Sequence, residues 1–145
     1  VSIEIIQAAI DDKKRVEVAV RECGKPVKTY FDMYGIKGYY ENGHVWMALA
    51  PGDDTVLGFA VAIPLKRSPV TSLYEMGVIP AAQGMGLGRK ILDAVSGGRP
   101  FRLVVDYDNE HAIRLYEEYG LTKVTEEPEW TKSGKNRVYR MEGPL

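Results

Sequence analysis

The chain has 145 residues, 45% of them hydrophobic and 27% charged, with a formal net charge of -1. That size and balance fit a single folded domain over residues 1–145 and set aside disordered and fibrous classes. A pI of about 6.2 supplies no basic field for a nucleic-acid backbone, so no nucleic-acid partner is expected.

Lys13, Lys14 and Arg15 follow Asp11 and Asp12 and read as a solvated helix surface. Cys23 is the single cysteine. It cannot form an internal disulfide, and a zinc site would need several more Cys or His ligands, so no metal is expected. Catalysis by Cys23 with His44 or His111 as base is weaker than its reading as a small buried residue near a helix end. No apolar run reaches membrane-spanning length, and the start of the chain lacks a signal peptide's charged and apolar segments. A soluble cytoplasmic protein with no membrane partner is therefore expected.

In chain order, Ile3 to Ile6 is a short β-prone run. From about Ala9, apolar residues at Ala9, Val16, Ala19, Val20 and Cys23 approach helical spacing, stopped by Gly24 and Pro26. Val27 to Asn42 is irregular and aromatic, with Tyr30, Phe31, Tyr34, Tyr39 and Tyr40. His44 to Ala50 and Val56 to Ile63 read as strands around the turn Pro51-Gly52-Asp53-Asp54, and Leu73 to Ile79 as a third strand ending at Pro80. Leu87, Ile91, Ala94 and Val95 form a helical stripe ended by Gly97-Gly98. Phe101 to Val105 is a buried-type strand. Ala112, Leu115, Tyr116 and Tyr119 mark a helix stopped at Gly120. Two strands, about Leu121 to Glu126 and Arg137 to Met141, flank a turn through Ser133-Gly134. Antiparallel strands followed by βαβ-like units predict a mixed α/β sheet.

The richest segment is Val78-Ile79-Pro80-Ala81-Ala82-Gln83-Gly84-Met85-Gly86-Leu87-Gly88-Arg89. Glycines at 84, 86 and 88 allow a sharp turn and close approach of a ligand to the backbone. The turn opens into a helix, whose free N–H groups and positive end suit a phosphate or pyrophosphate, with Arg89 as an added charged donor. A Walker A loop fails because Arg89-Lys90 follows Gly88, and the dinucleotide fingerprint fails because its third glycine falls one residue early.

Gln83, Gly86 and Gly88 satisfy Gln-x-x-Gly-x-Gly, which resembles the coenzyme-A pyrophosphate loop of the GNAT superfamily of N-acetyltransferases. A second segment, Asn109 through Leu121, is similar to that family's Asn-x-x-Ala-x-x-Leu-Tyr-x-x-x-Gly signature at Asn109, Ala112, Leu115, Tyr116 and Gly120. Leu121 stands where phenylalanine is more usual. Asn109 falls at a helix start, where its side chain can cap free N–H groups or its amide can meet a ligand.

The resemblance implies a central mixed sheet of about six to seven strands flanked by helices, with a V-shaped splay between the fourth and fifth strands. It implies acetyl-CoA as cofactor, CoA as product and a primary amine as acceptor, of a small molecule or a peptide, in a monomer or homodimer. On the same ground, backbone around Met76, Gly77 and Val78 would hold the pantetheine arm, with an N–H near Val78 toward the thioester carbonyl. Gln83, Gly84, Met85, Gly86, Leu87, Gly88 and Arg89 would hold the pyrophosphate, with Asn109, Ala112 and Tyr116 also at the cofactor. Tyr116 matches the family's general acid. Glu75 is the candidate base, sharing a strand face with Gly77 and Ile79 opposite Tyr74 and Met76; His44, His111, Tyr74 and bulk water are alternatives. The acceptor pocket is expected from Tyr30 to Tyr40 and the hairpin around Trp130, with Asp32, Glu41, Glu126, Glu127 and Glu129 as a negative lip.

Overall fold

The computed structural model describes residues 3–24, 36–131 and 134–144. Among the described residues, seven strands form one mixed sheet. They are β1 (Glu4–Gln7), β2 (Val45–Leu49), β3 (Val56–Pro64), β4 (Thr71–Val78), β5 (Phe101–Asp106), β6 (Thr122–Thr131) and β7 (Gly134–Gly143). Their order across the sheet is β1-β2-β3-β4-β5-β7-β6. The helices are α1 (Lys13–Glu22), α2 (Ile36–Glu41), α3 (Leu87–Ser96) and α4 (Glu110–Tyr119). None of the described helices is long and apolar enough to cross a membrane. The chain packs as two compact units, Val1–Ile63 with Tyr74–Gly97, and Pro64–Leu73 with Gly98–Leu145.

In the first unit, β1, β2 and β3 form an antiparallel meander in which Ile5 lies opposite Ala48 and Met47 opposite Phe59. Val16, Ala19 and Val20 of α1 recur at i, i+3 and i+4 and are buried, as this spacing requires of a helix laid on a sheet. Val45, Met47, Phe59 and Val61 of the strands are buried, as are Leu87, Ile91 and Leu92 of α3, which lies on the face of Gly58, opposite that of Phe59. Two glycines set the closeness of these layers. A Cβ on Gly58 would come within 2.9 Å of both the Gly77 carbonyl oxygen and Ile91 Cδ1, and one on Gly77 within 2.9 Å of Phe59 Cε1.

The helix expected from Ala9 begins instead at Lys13, after a 3₁₀ turn over Ile10–Asp12. The Asp12 carboxylate accepts the Ala9 N–H at 2.8 Å, the N3-to-N-cap bond of a capping box over the 3₁₀ turn, and binds Arg15 at 2.6 Å. Cys23 caps α1 and is partly exposed, where the sequence suggested burial. Within the stretch read as irregular, Ile36–Glu41 is helical, while Tyr30, Phe31, Asp32 and Tyr34 lie outside the described residues.

In the second unit, β4 opens two residues earlier than expected, and the Thr71 N–H donates to the Pro100 carbonyl at 2.8 Å. The parallel ladder with β5 sets Thr71 opposite Phe101 and Ser72 opposite Arg102. The Arg99 guanidinium donates to the carbonyls of Leu65, Ser68 and Val70, which fixes the segment leading into β4. β7 pairs antiparallel with both β5 and β6. Both final strands run longer than the sequence suggested. Pro128 is tolerated because β6 is an edge strand, where a missing N–H breaks no ladder on the outer side. Phe101, Leu103, Ile113, Tyr116, Leu121 and Met141 form this unit's core.

Candidate active site

The first element of the site lies where β4 runs through a 3₁₀ turn into α3. The Ile79 N–H donates to the Leu57 carbonyl at 2.9 Å, which anchors the strand's end to β3. Pro80 opens the turn Pro80–Ala82, and Ala82 is buried beneath it. The chain then rises to the surface, with Gln83, Gly84, Met85 and Gly86 all exposed. Gly84 has φ +85° and Gly86 φ +72°, both left-handed. A Cβ at either position would meet nothing within 4 Å. These glycines therefore serve the backbone path and leave the space above it clear; neither relieves a crowded contact with the rest of the protein.

Gly86 caps α3, and the first helical bond runs from the Lys90 N–H to the Gly86 carbonyl. The N–H groups of Leu87 and Gly88 lie ahead of that bond, where an α-helix has no internal acceptor for them. The Leu87 side chain is buried, so this residue offers the site only its backbone. Arg89 is exposed on the same first turn. An open cradle of left-handed glycines, a helix N-terminus and an adjacent guanidinium is a donor set suited to a diphosphate. The pyrophosphate of coenzyme A fits these residues in charge and in the room they leave.

Upstream on β4, Met76 is buried, Tyr74 exposed and Glu75 half-buried. The Cβ that Gly77 lacks would lie 3.0 Å from Cys23 Sγ. Glu75 shares the face of Gly77 and so stands on the side of β4 covered by α1. Val78 is engaged through its carbonyl oxygen, which accepts from Gln83 Nε2 at 3.3 Å. That bond gives Gln83 a role the sequence reading did not state: it folds the loop back onto the strand.

The second signature, in the other unit, falls on the turn from β5 into α4. Asn109 is the N-cap, and its side-chain oxygen accepts the Ala112 N–H at 3.3 Å. Of the two roles open to Asn109 in sequence, the structure has it capping. Tyr116 is buried one turn beyond Ala112, and its carbonyl oxygen accepts from both Gly120 and Leu121 where the helix closes. Gly120, at φ +112°, provides the left-handed stop.

Of the alternative bases, burial lowers the pKa of His44 and favours its neutral form. Its ring lies 6.3 Å from that of Tyr39, and the His44 backbone N–H donates to the Tyr39 carbonyl. His111 is exposed on the first turn of α4. Glu41 pairs with Lys37 and Glu126 with Arg137, so these two of the five expected lip carboxylates carry a cation. The side chains of Glu127, Glu129 and Trp130 lie outside the described residues. Among the described residues, no group of three or more His, Cys, Asp or Glu could hold a metal ion.

A mixed sheet of this order, with a left-handed glycine turn between its fourth strand and the next helix, is the mixed α/β architecture that the resemblance to N-acetyltransferases implies. The chain belongs to the acetyltransferase (GNAT) family, whose pattern matches residues 17–121. It is an enzyme that transfers an acetyl group from acetyl-CoA to an amine. A 5-NmdU N-acetyltransferase of Pseudomonas phage PaMx11 is 28% identical over 123 residues, covering 81% of this chain and 86% of that protein. The ribosomal-protein-S18-alanine N-acetyltransferase of Escherichia coli is similar in fold, with a TM-score of 0.73 at 20% identity, covering 99% of this chain and 94% of that one. Arabidopsis thaliana NAA60, solved in complex with acetyl-CoA, has a TM-score of 0.70 at 20% identity, covering 99% of this chain and 100% of that one.

Proposed function

We propose that this enzyme acetylates the primary amine of a small molecule, by direct attack of the amine on acetyl-CoA within a ternary complex. The observation that carries the reading is the loop of Gly84 and Gly86, left-handed and open above, leading into the N-terminus of α3. When bound, acetyl-CoA supplies a thioester carbonyl activated toward an amine.

In this reading the backbone N–H groups of Gly84 to Gly88 and the Arg89 guanidinium hold the diphosphate. The backbone of Met76, Gly77 and Val78 aligns the pantetheine arm. Asn109 and Ala112 complete the binding set through the start of α4. Orientation of the amine supplies most of the rate advantage.

Two protons must move. The attacking nitrogen has to be neutral and must shed a proton as it becomes an amide; Glu75 receives it, directly or through water. The departing sulfur needs a proton, and the Tyr116 hydroxyl gives it. A phenol with a pKa near 10 stays protonated at neutral pH, yet can serve a thiolate whose conjugate acid is about 8.5.

The acceptor class draws its support from the phage relative, which is named for 5-NmdU rather than for a protein and aligns over most of both chains. The E. coli neighbour is named for a protein alanine, but its 20% identity extends the fold alone. Thiol release from acetyl-CoA over a panel of small amines and of peptides with free N-termini or lysines tests the proposal. Turnover of the amines above the peptides is expected. Peptide-only turnover moves the enzyme to the protein acetyltransferases, and tight acetyl-CoA binding without any turnover makes it a sensor or scaffold.

A further inference from the structure

Four of the chain's five methionines are described, and they differ sharply in access. Met47, Met76 and Met141 are at most 8% exposed, whereas Met85 is 54% exposed. Met85 stands between the left-handed Gly84 and Gly86. The buried Leu87 two residues on ties the loop to the core. The thioether is thus presented to solvent by a backbone path that few other residue types can follow, on the loop read as the diphosphate cradle.

We infer that Met85 is an oxidation site through which hydroperoxides lower the enzyme's affinity for coenzyme A. The inference rests on the reading of the loop as the diphosphate cradle. The chemistry needs only a hydroperoxide. The sulfur attacks one peroxide oxygen, the O–O bond breaks, the thioether becomes a sulfoxide and the peroxide leaves as water or an alcohol. The product replaces an apolar tip with a dipole whose negative end is oxygen. Beside a diphosphate that oxygen repels the phosphate oxygens, and it accepts hydrogen bonds from the same loop N–H groups that would otherwise meet them. Both effects weaken binding, and methionine sulfoxide reductases can reverse them.

The test treats the whole protein with graded hydrogen peroxide, quenches it, and adds dithiothreitol so that reversibly oxidised Cys23 returns to the thiol. Peptide mass mapping then locates sulfoxide, and calorimetry measures the Kd for CoA. Met85 should oxidise before Met47, Met76 and Met141, and the Kd should rise about fivefold or more in step with its sulfoxide. Methionine sulfoxide reductases A and B together should restore the starting value. Met85→Leu, compared only with its own untreated form, should show no peroxide-dependent rise. Oxidation of a buried methionine ahead of Met85, an unchanged Kd once Met85 is fully oxidised, or an equal rise in Met85→Leu overturns the inference. If the untreated protein does not bind CoA, the reading of the loop itself fails, which is a separate result.

Discussion

Gln83 Nε2 donates to the carbonyl oxygen of Val78, five positions back along the chain at the end of β4, across 3.3 Å. The bond closes the loop from its own side. An exposed bond of this kind contributes about 0.5–1.5 kcal/mol. Its loss falls on loop order, because the strand below is held independently by the Ile79 to Leu57 bond. Gln83→Ala should therefore weaken CoA binding by about two- to tenfold while leaving the melting temperature nearly unchanged. Gln83→Glu should be worse, since it replaces the donor with an acceptor and adds negative charge beside the diphosphate. Calorimetry and thermal denaturation on the same preparations check both. Unaltered affinity in the alanine variant would mean the loop does not depend on this bond.

Gly86 and Gly97 stand at opposite ends of α3 in similar left-handed conformations, φ +72° and φ +62°, each with open space where a Cβ would lie. A side chain costs about 1–2 kcal/mol of backbone strain at either position. Only Gly86 belongs to the proposed cradle. Gly86→Val and Gly97→Val should thus lose stability by comparable amounts, measured by urea denaturation. The Kd for CoA should rise about tenfold or more in Gly86→Val alone. Equal loss of affinity in both would make the effect one of helix stability rather than of the cradle.

Tyr116→Phe removes one hydroxyl from a buried ring and keeps its packing. If that hydroxyl protonates the leaving thiolate, kcat should fall about 100-fold, the lower range for loss of a positioned acid. The Kd for CoA should stay within about twofold, since the ring and the backbone of α4 remain. Steady-state rates with calorimetry separate the two. A variant with full kcat removes Tyr116 from the proton path.

Much of the fold was legible because its signals are local. The stripe from Leu87 to Val95 and the glycines at 97 and 120 mark helices and their ends through spacing and backbone freedom, which neighbouring residues carry by themselves. The misplaced boundaries arise where a side chain or a partner strand decides. Ala9 is the N-cap of a 3₁₀ turn held by the Asp12 carboxylate, and α1 follows that turn. Thr71 joins β4 through a bond to Pro100, 29 residues away in the chain. Pro128 argues against a strand until β6 is known to be an edge. In the candidate site, the left-handed glycines could be read from residue type. The turn of Gln83 back onto Val78 could not, nor which face of β4 carries Glu75. Both depend on how the loop and α1 pack, and no spacing in the sequence encodes that.

Tyr40 is buried, and its hydroxyl has no hydrogen-bond partner among the described residues. An unsatisfied buried hydroxyl costs about 1–3 kcal/mol. Tyr40→Phe, which keeps the ring and deletes the orphan group, should therefore stabilise the protein by about that amount, read from urea denaturation at pH 7. The pH dependence offers an independent check. Burial, and then the negative charges of Glu17 and Asp12, raise the phenol's pKa above its ordinary value of 10. The folded state consequently holds the proton more tightly than the unfolded chain does. Stability from this proton linkage is fully present below pH 10 and is lost as the pH climbs from there toward the folded value. The advantage of Tyr40→Phe over the parent should widen above pH 10, because the variant lacks that loss. A phenylalanine variant less stable than the parent at pH 7 would show that the hydroxyl has a partner in solution, and a constant difference up to pH 11 would show that its pKa is not raised.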